Sequence, residues 1–183
     1  MPDFTAARAA VLRNVGGPLE IEDVRISAPK GDEVLVRMVG VGVCHTDLVC
    51  RDGFPVPLPI VLGHEGSGVV EAVGDKVRKL RVGDRVVLSF NSCGQCGNCE
   101  TGHPSNCLHM LPLNFGGAQR VDGGQLLDAA GDAVQGMFFG QSSFGSYAVA
   151  REINAVKVAD DVPLEILGPL GCGIQTGPGA AIN

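Results

Sequence analysis

Residues 93–107 read CGQCGNCETGHPSNC and place four cysteines within fifteen residues: Cys93, Cys96, Cys99 and Cys107. Two-residue spacings let successive thiolates turn around one ion, and a structural zinc site takes four such thiolates in tetrahedral geometry. Gly94 and Gly97 each follow a cysteine, where a tight turn is needed. Disulfides or an iron–sulfur cluster are the alternatives, but no second cluster motif accompanies the run. The stretch therefore predicts a zinc lobe, in which His103 and His109 are ordinary loop residues.

The composition around this lobe is that of a folded domain. The chain has 183 residues, of which 45% are apolar and 19% charged, so it is neither disordered nor a coiled coil. A net charge of −6 argues against nucleic acid or an anionic membrane as partner. No continuous apolar run approaches the roughly 20 residues of a membrane span, and no signal peptide is visible. We expect a cytoplasmic protein, where grouped cysteines more often bind metal than form disulfides.

Short runs rich in Val, Ile and Leu, separated by Gly and Pro turns, predict strands throughout the chain. They cover residues 5–13, 19–26, 32–43, 67–73, 85–90, 145–151 and 155–158. Many short strands favour a β-barrel or sandwich. A short helix is expected at residues 46–51, and another after Asp161 with Pro163 near its start. Residues 91–112 and 113–140 carry no clear strand or helix signal, and loops of that length are usually functional.

A second set of candidate metal ligands is scattered along the chain. Cys44 follows a predicted strand, His64 lies 20 residues later, and Cys172 lies 108 residues after His64. These spacings do not connect the three residues. Taken singly, a lone cysteine is usually a small buried hydrophobe.

The motifs around these residues resemble those of a known family. The pattern Gly63-His64-Glu65-x2-Gly68-x5-Gly74-x2-Val77 matches the zinc-containing alcohol dehydrogenase motif of the medium-chain dehydrogenase/reductase family. Three further segments also match the family and stand in the family's order: Cys44-His45-Thr46-Asp47, the four-cysteine run and Gly171-Cys172-Gly173. The resemblance covers nearly the whole chain. It looks closest to the aryl-alcohol (benzyl-alcohol) branch, judged by residues 43–56, 139–147 and 168–177.

The resemblance implies a fold and a domain plan. The fold would be mainly β, a GroES-like partly open barrel with a few short helices and a zinc lobe at residues 91–112. Residues 1–160 would form this catalytic domain. Residues 161–183 would begin the helical connection to a cofactor domain, whose Gly-x-Gly-x-x-Gly turn is absent from the sequence. The chain is therefore expected to be a fragment, inactive alone, and the complete enzyme a homo-oligomer.

The resemblance also implies an activity. Cys44, His64 and Cys172 would bind a catalytic zinc, and the open fourth position would take the substrate. The complete enzyme would oxidise a primary, aryl-type alcohol to the aldehyde by transferring hydride to NAD⁺. Two zinc ions per complete chain are expected. The partners would be small-molecule alcohols and aldehydes.

Four neighbouring residues receive roles from the resemblance. Thr46 would take the alcohol proton, Asp47 would hold the second ring nitrogen of His64, Glu65 would lie behind the metal, and His45 would lie near the cofactor pyrophosphate. From the residues alone, Thr46 could be a helix N-terminal hydroxyl, Asp47 a first-turn charge and Glu65 a surface charge. Many relatives carry a proton-relay histidine where this chain has Val49.

Three further residues have open assignments. Cys50 is expected to be a free, at least partly buried thiol, and Phe54 and Phe90 either line an aromatic substrate pocket or pack in the core. For the whole chain, the main hypothesis is the catalytic domain of an alcohol dehydrogenase. The alternatives are a zinc-stabilised structural or interaction domain without catalysis, and a thiol- or formaldehyde-handling relative on the same scaffold.

Overall fold

Two antiparallel sheets form most of the computed structural model, in which residues 3–182 are described. The first sheet consists of β1 (Phe4–Leu12), β2 (Leu19–Ser27), β4 (Ile60–Val61) and β7 (Leu126–Asp128). The second consists of β3 (Glu33–Gly42), β5 (Glu65–Val73), β6 (Arg85–Leu88), β8 (Tyr147–Arg151) and β9 (Ala155–Lys157). The strand order is β4-β1-β2-β7 in the first sheet and β8-β3-β5-β6-β9 in the second. The prediction of a mainly β domain is confirmed.

The two sheets join where β1 meets the residues that precede β8. Ala9 forms an isolated bridge with Gly145, and the backbone N–H of Ala10 donates to the carbonyl of Phe144 at 2.8 Å. Because the two sheets are joined along this edge, they curl around a shared interior as a partly open barrel.

Alternating side chains fill the space between the sheets. Val11, Val24, Leu35, Val61 and Val149 are among the buried residues of the central cluster. Each such side chain stabilises the fold by roughly 1.5–3 kcal/mol relative to exposure, as an upper estimate. A second cluster on the other face of the larger sheet makes its strand interiors apolar on both sides.

The helices are short and lie outside the barrel. They are α1 (His45–Asp52), α2 (Gly97–Glu100), α3 (Met110–Asn114) and α4 (Gly173–Ile182). Among the helices of residues 3–182, none combines the length and apolar character that a bilayer crossing demands.

The observed boundaries differ from the predicted ones in informative places. The helix expected directly after Asp161 is wrong: two 3₁₀ turns, Leu164–Ile166 and Gly168–Gly171, come first, and α4 begins only at Gly173. A helix that began near Pro163 would have Pro169 in its interior, and Pro169 lacks the N–H group that a continuous helix would use. The sequence also missed β4 and β7, whose two and three residues are too few to show a periodicity.

A buried ion pair anchors the long segment at residues 113–140. The guanidinium of Arg120 contacts the carboxylate of Glu33 at 2.8 and 3.1 Å, and both side chains are almost completely buried. Arg120 also donates to the carbonyls of Ser27, Ala28 and Gln125, which satisfies its remaining donors. The segment is therefore held to the start of β3 rather than being a free loop.

Candidate metal centres

The four cysteines of the lobe converge. Their sulfur atoms all lie within 4.8 Å of one another, with Cys93 Sγ 3.9 Å and Cys96 Sγ 3.5 Å from Cys99 Sγ. All four are free thiols rather than disulfides. The arrangement offers four sulfur donors to one ion, which is the donor set of a structural zinc site.

Backbone N–H groups surround these sulfurs and help to set their charge. The N–H of Cys96 donates to Cys93 Sγ at 3.3 Å, and the N–H groups of Cys93 and His109 donate to Cys107 Sγ at 3.4 Å. The N–H of Leu108, followed by that of Cys99, lowers the pKa of Cys96 to about 6. Such donors stabilise thiolates, the form that binds metal.

The second cluster unites residues from three distant parts of the chain. Cys44 caps the N-terminus of α1, His64 immediately precedes β5, and Cys172 lies between a 3₁₀ turn and α4. Donor atoms of these three and of Glu65 lie within 4.8 Å of one another, and the sulfurs of Cys44 and Cys172 are 4.0 Å apart. The three ligands proposed on resemblance are thus brought together.

Strand pairing and close backbone packing explain this convergence. The antiparallel pairing of β3 with β5 sets Gly42 opposite Glu65, so that the residues after β3 and those before β5 share one end of the sheet. Gly171 packs against the carbonyl oxygen of Leu88, where a Cβ atom would collide with that oxygen. The absence of a side chain at Gly171 therefore lets Cys172 reach the cluster.

The imidazole of His64 is oriented by Asp47 and leaves one nitrogen available. Nδ1 is 3.0 Å from Asp47 Oδ1, and both side chains are only 2% exposed. The same carboxylate accepts the backbone N–H groups of Cys44 and Gly63, each at 3.0 Å. Nε2 is buried and has no hydrogen-bond partner. An unpartnered buried nitrogen among two sulfurs fits a metal ligand better than a core histidine.

The electrostatics of the cluster favour a cation. Burial raises the pKa of Cys44, but hydrogen bonds from Thr46 and the proximity of the His64 ring outweigh it, and the net shift is downward. Burial, and then the adjacent sulfur of Cys44, raise the pKa of Cys172 to about 12. Two neighbouring thiolates repel each other, and a divalent ion between them would relieve that repulsion. The donor set therefore fits zinc.

The flanking residues proposed from resemblance lie at different distances from this cluster. Thr46 Oγ1 is 3.7 Å from Cys44 Sγ, whereas His45 is exposed on α1. Glu65 is 5% exposed, and its Oε1 accepts a hydrogen bond from the backbone N–H of Gly173 at 3.2 Å. Glu65 is therefore a buried residue rather than a surface charge. Val49 is exposed.

A cleft of about 390 Å³ opens beside the second cluster. Its walls include His64, Cys172, Phe90, Met110 and Phe139. Of the two phenylalanines singled out in the sequence, only Phe90 is among these residues.

Phe54 and Cys50 lie outside the wall of this cleft. Phe54 packs against Phe115 with ring centroids 4.9 Å apart. Cys50 is a free thiol in the core, as expected, and burial raises its pKa to about 11. The sequence reasoning missed Phe139, whose ring stacks on His64; no spacing in the sequence signals that contact.

Known proteins match this chain in both sequence and fold. The family model described as "Alcohol dehydrogenase GroES-like domain" matches residues 30–160. A geraniol dehydrogenase of Castellaniella defragrans is 82% identical over 181 residues, which are 99% of this chain and 48% of that protein.

Two solved structures are also similar. A crystal structure named as an alcohol dehydrogenase zinc-binding domain protein from Burkholderia ambifaria has a TM-score of 0.95 and 60% identity, covering 99% of this chain and 49% of that one. The benzyl alcohol dehydrogenase of Acinetobacter calcoaceticus has a TM-score of 0.88 and 52% identity, covering 98% and 48%. The chain spans about half the length of these relatives.

Proposed function

Because the chain belongs to the alcohol dehydrogenase family through its GroES-like domain, we propose that it is the zinc-bearing catalytic part of an NAD-dependent alcohol dehydrogenase. The reaction is the oxidation of a primary alcohol to an aldehyde, with hydride transfer to NAD⁺. One observation carries the proposal. The unpartnered Nε2 of His64 meets the sulfurs of Cys44 and Cys172 at the wall of an open cleft.

In this proposal the two clusters hold zinc ions with different tasks. The lobe, residues 91–112 of a catalytic domain spanning 1–160, holds a structural ion through four thiolates. Cys44, His64 and Cys172 hold the catalytic ion, with the cleft giving access to it. When bound there, zinc lowers the pKa of an alcohol hydroxyl.

The chain's own residues position the ligands and move the proton. Asp47 keeps the proton of His64 on Nδ1, so that the lone pair of Nε2 faces the two sulfurs. The hydroxyl of Thr46, 3.7 Å from Cys44 Sγ, is the first acceptor of the alcohol proton. Val49 cannot carry the proton further. The proton therefore passes from Thr46 to His45, to water or to the cofactor hydroxyls.

Relatives and cleft lining together suggest the substrate class. The relatives named above are a geraniol and a benzyl alcohol dehydrogenase. Both alcohols carry an unsaturated carbon next to the carbon that loses hydride. Phe90, Phe139 and Met110 line the cleft with flat or flexible apolar surfaces that suit such groups. We propose benzylic or allylic primary alcohols, taken by a homo-oligomeric protein of the cytoplasm, where the seven free thiols stay reduced.

Replacement of Thr46 tests the proton step. In a protein of the relatives' length, Thr46→Val should lower kcat for benzyl alcohol by about 10²- to 10⁴-fold, because valine keeps the shape and removes the hydroxyl. Thr46→Ser keeps the hydroxyl and should retain most of the activity. Zinc content is measured in both variants. Full activity of Thr46→Val with both zinc sites filled would remove Thr46 from the reaction.

A zinc-stabilised domain without catalysis is the second candidate. It is favoured by the lobe, whose four sulfurs converge independently of the second cluster. Such a domain requires one metal ion, whereas the alcohol dehydrogenase requires two. The number of zinc ions bound by a protein of the relatives' length therefore separates the candidates.

A further inference from the structure

Residues 138–144, here called the clamp segment, follow the chain around His64 almost residue by residue. Ser142 Oγ donates to the carbonyl of Val61 at 2.6 Å, and the N–H groups of Phe144 and Ser143 donate to the carbonyls of Leu62 and Gly63 at 3.1 and 2.9 Å. These bonds fix the clamp segment to the residues that lead into His64.

Gln141 continues this pattern on both sides of Glu65. Its Nε2 donates to the carbonyl of His64 at 3.0 Å, and its Oε1 accepts the N–H of Gly66 at 3.1 Å. The side chain is completely buried. The backbone position of His64 is thereby fixed relative to the clamp segment.

The clamp segment has an unfavourable backbone conformation. Phe139 and Ser142 have φ angles of 51° and 47°, in the left-handed region that residues with a Cβ atom rarely adopt. Such conformations persist where the surrounding structure enforces them, and they concentrate at functional sites. At Phe139 this conformation directs the ring towards His64.

Aromatic contacts surround the imidazole of His64. The Phe139 ring stacks on it with centroids 4.5 Å apart and 24° between the planes. The Phe138 ring meets it edge-on at 5.6 Å and 75°. Asp47 fixes rotation through Nδ1, but a single hydrogen bond leaves the ring free to tilt. The stacked phenylalanine restricts that tilt.

We propose that Phe139 is a positioning residue for the second metal centre, and that its stacked ring holds Nε2 of His64 towards the sulfurs of Cys44 and Cys172. The inference rests on the proposed function, because it requires a metal ion at this centre. Phe139 acts through His64, and the left-handed backbone at Phe139 places the ring there.

Cobalt binding tests the role of Phe139 in the chain as it stands. One equivalent of zinc is added first to fill the four-cysteine lobe, and Co²⁺ is added second. The visible absorption of Co²⁺ reports which ligands bind it. Phe139→Leu, which keeps the residue apolar, should weaken Co²⁺ binding by about 10- to 100-fold, the usual cost of losing a group that orients a ligand. The absorption bands should also shift. Phe115→Leu is the matched control, because Phe115 contacts Phe138 and Phe139 rather than the His64 ring.

The outcomes separate the two levels of the inference. If the unaltered chain shows no cobalt bands that disappear in Cys44→Ser, the proposed function and the positioning role both fail. If those bands appear and Phe139→Leu matches Phe115→Leu in affinity and spectrum, only the positioning role fails. Phe139→Asn provides a second variant, since asparagine tolerates the left-handed backbone. It should weaken Co²⁺ binding as Phe139→Leu does, and retained binding would contradict the proposal.

Discussion

Replacing Asp47 by asparagine should weaken both the fold and metal binding at the second centre. The carboxylate of Asp47 is 2% exposed and accepts hydrogen bonds from His64 and from the backbone N–H groups of Cys44 and Gly63, all at 3.0 Å. Asparagine keeps the size of the side chain and one acceptor oxygen. Its amide nitrogen takes the place of Oδ2, so two donors face each other at Cys44.

The expected magnitude follows from these contacts. Loss of a hydrogen bond to a charged group costs about 1.5–3 kcal/mol, and leaving the buried N–H of Cys44 unpaired costs about 1–3 kcal/mol more. We therefore expect the free energy of unfolding to fall by about 2.5–6 kcal/mol. Losing the charge that orients His64 should also weaken metal binding at this centre by about 10- to 100-fold, or about 1.4–2.7 kcal/mol.

Urea unfolding, with zinc at a fixed concentration and again with a chelator, measures both quantities, since zinc stabilises the folded state by mass action. Asp52→Asn is the matched control on the same helix. That residue is half-exposed and pairs only with the adjacent Arg51 in the described residues, so its replacement should leave stability and zinc affinity unchanged. If Asp47→Asn behaves like Asp52→Asn in both measurements, Asp47 does not hold His64 as inferred.

Three other changes have defined outcomes. Arg120→Met should lower the free energy of unfolding by about 3–5 kcal/mol, because it leaves the carboxylate of Glu33 buried without its partner; urea unfolding at neutral pH measures this, and a loss below 1 kcal/mol would argue against it. The hydrogen bond from Lys157 to Asp84 holds the pKa of that carboxyl below its usual range. Its stabilisation is therefore complete above the ordinary pKa of about 3.9 and is lost as pH falls through the lower folded value. Asp84→Asn should flatten the decline of the thermal midpoint in that acid range, and an unchanged slope would exclude this source. In a protein of the relatives' length, metal analysis should give two zinc ions per chain, with one lost in Cys93→Ser and the other in Cys44→Ser; a Cys93→Ser protein that keeps both would show that the lobe assignment is wrong.

The lobe and the strands are the parts of this protein that local sequence determined. Cys93 and Cys107 are separated by fourteen positions, so a few turns bring the four sulfurs together whatever the rest of the chain does. The strands were readable because side chains alternate along them and glycine or proline ends them. The sequence did not predict β4, β7 or the turns that lead into α4, because very short strands and proline-containing turns depend on packing.

The second centre was decided by the tertiary structure. Cys44, His64 and Cys172 were connected by the order of family motifs, whereas their spacing carried no such information. They meet because β3 pairs with β5 in one register and because Gly171 packs closely against Leu88. The stacking of Phe139 on His64 and the pairing of Arg120 with Glu33 had no sequence signal at all. A contact between residues far apart in the chain depends on strand register and on packing across the whole barrel, and no local pattern of residues encodes either one.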